Sequence, residues 1–66
     1  MNVRVNGEPA TVADGASVAD LLATQSFAGG SVVVAINEVF VPRPLYETKL
    51  LNDNDRVEIL GPMQGG

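Results

Sequence analysis

Apolar and polar residues alternate at the start of the chain, with Met1, Val3 and Val5 set against Asn2, Arg4 and Asn6. This is the period of a strand with one buried face. Asn6-Gly7 follows, and because both residue types tolerate positive φ the pair predicts a tight hairpin turn. Ala10 and Val12 continue as a short returning strand. Pro9 stands at its start, and proline cannot donate to a ladder, so this strand is expected at a sheet edge.

The period then changes. Val18, Leu21 and Leu22 sit at i, i+3 and i+4, one face of a helix spanning about 17–24. Ser17 is in position to cap it, with Asp20 as the reciprocal acid of a capping box. Gly29-Gly30 should end this region as a loop. It is not a phosphate cradle, which needs glycines between a strand and the helix that follows.

Val32 to Ile36 form the longest apolar run and read as a strand with little water on either face. Asn37-Glu38 predict a turn into Val39-Phe40-Val41, which Pro42 stops. "LYETKLL" reads as one helical turn, with Leu45, Tyr46, Leu50 and Leu51 covering the core. Asn52 to Asp55 are turn residues, since Asn and Asp bond their own backbone and tolerate the left-handed region. Arg56 to Leu60 make a last alternating strand. A strand-strand-helix-strand-strand-strand order is satisfied by an α+β fold, a small mixed sheet of four to five strands with one main helix packed on one face. The expected core is Val3, Val5, Val18, Leu21, Leu22, Ile36, Val57 and Ile59.

Sixty-six residues make one domain with a thin core. The reading divides it into a folded part, 1–61, and a flexible C-terminal tail, 62–66, ending in Gly-Gly. There is no cysteine and no histidine, so a thiolate or imidazole metal site, a cysteine nucleophile and the usual neutral-pH base are all excluded. Eight acids against four bases leave a formal charge of −4, which disfavours nucleic acid and favours a basic protein partner. No apolar run approaches the roughly 20 residues of a membrane span, and no targeting segment is visible, so a cytoplasmic protein is expected.

Enzymatic readings are poor. Asp53 and Asp55 could form a metal or acid/base pair, but they sit in a turn with no third ligand nearby. Ser17 has no base beside it, and Tyr46 alone is core cover. Arg43 reads equally as a partner contact or an exposed ion-pair member. What stands out is the end of the chain. A terminal glycine pair arises by chance in roughly one chain in 200, and glycine loses the most conformational entropy on ordering. Residues without a Cβ let a backbone thread a narrow channel. The C-terminal carboxylate is therefore the candidate reactive group.

The strand and helix order, "VAINEVFVPRPLYETKLLNDNDRVEI" and the terminal Gly-Gly together resemble the ThiS family, sulfur carriers of thiamin (thiazole) biosynthesis. The strongest local parts are Val34 to Asn37, Val41 to Arg43, Asp53 to Val57, and Gly65-Gly66. The resemblance implies a ubiquitin-like β-grasp, with Gly66 adenylated and then converted to a thiocarboxylate. Gly65 and Gln64 would lie in the partner's channel. It implies a ThiF-type adenylating enzyme, thiazole synthase and a sulfur donor such as a cysteine desulfurase as partners. The chain itself would be no enzyme and would bind no cofactor, with ATP and Mg²⁺ used by the activating partner. Asn54 stands where the family commonly has glycine, a substitution the left-handed region tolerates. Pro62 looks more like MoaD, whose pathway is molybdopterin. A carrier for molybdopterin or cysteine synthesis, and a ubiquitin-like module that is never activated, stay open beside the thiazole reading. In each carrier case the strand leading to the tail should face the partner, with apolar residues flanked by acids such as Asp55 and Glu58.

Overall fold

A computed structural model describes residues 1–25 and 32–61. The elements are β1 (Asn2–Val5), β2 (Glu8–Thr11), α1 (Val18–Thr24), β3 (Val33–Ile36), β4 (Val39–Val41), a 3₁₀ turn at Arg43–Leu45, and β5 (Arg56–Leu60). The five strands form one mixed sheet in the order β2-β1-β5-β3-β4. β1 and β5 are parallel, and the other three pairings are antiparallel. Val18, Leu21 and Leu22 of α1 join the inward residues of the strands in one buried cluster. That is the ubiquitin-like β-grasp arrangement, and the eight expected core residues all lie in the cluster.

Local chemistry accounts for the elements. Asn6 and Gly7 take φ of 51° and 87°, as a two-residue hairpin requires, and bring Glu8 opposite Val5. β2 is an edge strand, as Pro9 predicts. Pro9 pairs with Arg4, whose own N–H points away to the Asp55 carbonyl at 2.9 Å. In such a pair the proline's missing N–H falls on the free edge, so no ladder bond is lost there and strand addition by another chain is hindered.

Ser17 caps α1 as expected. Its Oγ accepts from Asp20 N at 3.1 Å while Asp20 Oδ2 accepts from Ser17 N at 3.0 Å. The exposed N–H groups of the first turn find further partners outside the helix. Val18 N donates to Lys49 O and Ala19 N to Tyr46 O, each at 2.9 Å, so the 46–51 segment seals the helix start. Tyr46 is buried, and its hydroxyl donates to Val32 O at 3.0 Å, which ties this segment to the approach to β3.

Three expectations need correction. Val32–Ile36 is not dry on both faces: Val34 and Ile36 are buried, but Val33 is 49% exposed. Among the described residues, α1 covers one face of the sheet and leaves the other open. The helical turn expected in "LYETKLL" starts ahead of that segment as a 3₁₀ turn at Arg43–Leu45, and of the segment's four apolar residues Tyr46 and Leu51 are buried while Leu45 and Leu50 are exposed. Asp55 is not a surface acid but 6% exposed. The Gly29-Gly30 loop lies outside the described residues.

Candidate functional site

Gly66, expected to be the reactive end, and its neighbours Gly65 and Gln64 lie outside the described residues, as does the rest of the expected tail, 62–66. The platform that carries them is described. β5 runs through the middle of the sheet between β1 and β3, and Gly61 follows it directly. Its burial alternates strictly, with Val57 and Ile59 inward and Arg56, Glu58 and Leu60 outward.

The outward residues of three strands combine into an apolar surface. The register puts Val33 opposite Leu60, and Ala35 opposite both Glu58 and Phe40. Side chains of paired residues share a face, so Val33, Ala35, Phe40 and Leu60 stand together on the side of the sheet away from α1. Leu60 is 68% exposed and Phe40 61%. Glu58 borders this patch, and so does the paired row of Arg4 and Arg56. Of the two acids expected to flank an apolar surface along β5, Glu58 lies on this face and Asp55 is buried instead. Two guanidinium groups on the same face were not anticipated. The signal for an open face was the expectation of one main helix packed on one side of the sheet, since two sheet faces need two layers to cover them.

Asp53 and Asp55 do not converge on a ligand. Asp53 Oδ1 accepts from Asn2 N at 2.8 Å. Asp55 accepts from Asn37 Nδ2 at 3.0 Å through Oδ1 and from Asn52 N at 2.8 Å through Oδ2. Both carboxylates hold the backbone around β5, as their place in a turn predicts. Among the described residues no group of three or more His, Cys, Asp or Glu is placed to hold a metal ion. A cleft of about 380 Å³ beside β4 and the 3₁₀ turn is lined by Val39, Phe40, Leu45, Lys49 and Asp55, among others. Both oxygens of its one carboxylate, Asp55, are engaged by hydrogen bonds. No described helix is long and apolar enough to cross a membrane.

Comparison with known proteins agrees with this picture along the whole chain. The crystal structure of a thiamine biosynthesis protein (ThiS) from Geobacter metallireducens matches with a TM-score of 0.82 and 36% identity, covering 100% of both chains. A solution NMR structure of a thiamine biosynthesis protein from the same organism matches at 0.81, again with 36% identity, over 100% of this chain and 88% of that one. Two curated relatives, the uncharacterized protein ycf40 of Pyropia yezoensis and that of Porphyra purpurea, are each 30% identical over 66 residues, covering 100% of this chain and 93% of theirs. The model of the ThiS family matches residues 3–66, through to the terminal glycine pair. The chain belongs to the ThiS family, small ubiquitin-like β-grasp proteins of thiamine biosynthesis.

Proposed function

We propose that this chain is the sulfur carrier of thiazole synthesis and that the Gly66 carboxylate is the group that carries sulfur. The observation that supports this most directly is the family match running to residue 66, behind a central strand that leads without interruption to the C-terminal segment. With no cysteine anywhere in the chain, a thiol of its own is not available for the task.

A carboxylate resists nucleophiles until one oxygen becomes a good leaving group. A ThiF-type activating enzyme would supply ATP and Mg²⁺; the Gly66 carboxylate attacks the α-phosphate, pyrophosphate leaves, and an acyl adenylate forms. The terminal sulfur of a cysteine-derived persulfide, provided by a desulfurase, then attacks the acyl carbon and AMP departs. The resulting acyl disulfide is reduced by a second thiol, which releases the thiocarboxylate and a disulfide. Thiazole synthase takes the sulfur. The chain is the protein substrate throughout and needs no cofactor of its own. Within this reading the reaction takes place in the cytoplasm, where ATP and a persulfide donor are both at hand.

Within this reading residues 62–66 form the arm that enters the enzyme, Gln64 and Gly65 line its channel, and the open face bearing Val33, Phe40 and Leu60 docks beside it. The test is intact mass after incubation with an activating enzyme, ATP, Mg²⁺ and a persulfide donor. One oxygen-for-sulfur exchange is expected on the full chain and none on a variant lacking Gly66. Gly65→Ala should fold normally and react slowly, because a Cβ crowds the channel. Thiolation of the truncated variant, or none of the full chain with several activating enzymes, overturns the proposal.

A further inference from the structure

The geometry points to Asn6 as a positioning residue: its side-chain amide clamps Ile59 and so sets the place where the C-terminal arm leaves the sheet. The clamp stands on hydrogen bonds alone, and its consequence for reaction rests on the sulfur-carrier reading above.

Along β5 the odd-numbered residues present their backbone groups to the β1 side. Arg4 N donates to Asp55 O at 2.9 Å, and Asn6 N donates to Val57 O at 2.8 Å. The next rung belongs to Ile59, but no backbone remains to meet it. β1 ends at Val5, and the chain turns away through Asn6 and Gly7 at positive φ. The Asn6 side chain supplies the missing rung. Its Oδ1 accepts from Ile59 N at 2.8 Å, and its Nδ2 donates to Ile59 O at 3.1 Å.

A primary amide carries the donor and acceptor of a peptide group, so the side chain acts as one further residue of β1. Without it both backbone groups of Ile59 would face a gap at a half-buried position, a cost the fold avoids. Ile59 is thus held on one side by Asn6, while on the other side Leu60 keeps its register with Val33. The clamp reaches across 53 positions of sequence and closes just before Gly61. Loss of it frays the β1 side of the strand end and leaves the β3 side, with the docking face, in place. The reactive carboxylate would then start from a less defined origin, and misplacement of a reacting group lowers rate more than binding.

The experiment compares the full-length wild type with Asn6→Gly, which keeps the positive φ and removes the amide, and with Asn6→Asp, which keeps the acceptor for Ile59 N and removes the donor. Amide exchange is followed by NMR together with adenylation kinetics. In Asn6→Gly the Ile59 amide should exchange about tenfold faster or more, with Val3 and Val34 unchanged, and Asn6→Asp should fall between. For Asn6→Gly kcat of adenylation should drop about tenfold while KM stays within about twofold. Unchanged exchange at Ile59 overturns the clamp. Faster exchange with unaltered kcat, or a rise in KM alone, overturns its positioning role. Loss of protection throughout the sheet in both variants makes Asn6 a general fold determinant and overturns the local assignment. A wild type that no activating enzyme accepts refutes the carrier reading, and the exchange measurement still decides the clamp.

Discussion

The Asn37 side chain donates from Nδ2 to Asp55 Oδ1 at 3.0 Å and, through Oδ1, accepts from Arg56 N at 3.0 Å. One amide thus joins the β3–β4 turn to the turn that starts β5. Asn37 N adds a third link, donating to Arg56 O at 2.8 Å. Asp55 completes the junction by accepting from Asn52 N. Replacing Asp55 by Ala leaves two part-buried donors without their charged acceptor and should cost about 2–3 kcal/mol in urea unfolding. Asp55→Asn should cost about 1–2 kcal/mol, because an amide sets a donor against a donor at one of the two contacts. Asp53→Asn keeps an acceptor for Asn2 N and should stay within about 0.5 kcal/mol of wild type. Equal effects at the two aspartates would contradict this assignment.

The turn between β3 and β4 carries strain at Glu38, which has φ of 72°. A two-residue hairpin needs positive φ at both positions, and asparagine adopts it far more readily than glutamate. The Glu38–Arg56 ion pair spans 4.0 Å with both side chains well exposed and offsets little of this. Glu38→Gly should therefore raise stability by about 0.5–1 kcal/mol. A fall in the urea midpoint would show that the pair or the glutamate stem matters more than the backbone.

Ser17 closes a full capping box and is buried against the 46–51 segment. Ser17→Ala removes the acceptor for Asp20 N and should cost about 1 kcal/mol. The loss should appear as a lower midpoint of helical circular dichroism. No change would mean that the carbonyls of Lys49 and Tyr46 satisfy the helix start by themselves.

The open face offers a prediction that separates docking from folding. Phe40 and Leu60 are mostly exposed, so Phe40→Asp and Leu60→Asp should alter stability by no more than about 0.5 kcal/mol. Each should weaken binding to an activating enzyme about tenfold or more, as truncation of an interface anchor does. Glu58→Lys, on the same face, should slow association and change its salt dependence. Asp55 cannot serve as the matching charge-reversal probe, because its reversal would disrupt the junction with Asn37. Unaltered binding by all three variants would remove this face from the docking site.

Periodicity and turn chemistry along the chain determined a good deal by themselves. Alternation of Val3 with Val5, and of Val57 with Ile59, specified strands, because each such residue must face one buried side. Ser17 with Asp20 specified a helix start, and Asn6-Gly7 and Asn37-Glu38 specified hairpin turns, since these effects act within a few residues. Pro9 marked an edge strand for the same local reason. The absence of cysteine and histidine, with the terminal glycines, directed attention to the carboxylate. Tertiary structure decided what depends on distant partners. Val33 reads as buried within an unbroken apolar run, yet strand pairing sets it with Phe40 and Leu60 on the face that α1 does not cover. Asp55 reads as a surface acid until Asn37, 18 residues away, is placed against it. Asn6 reads as a turn residue, and its bonds to Ile59 exist only because β1 stops one rung short of β5. A side chain's local preference is written in its neighbours along the chain, whereas its hydrogen-bond partner is set by which strands the fold brings side by side.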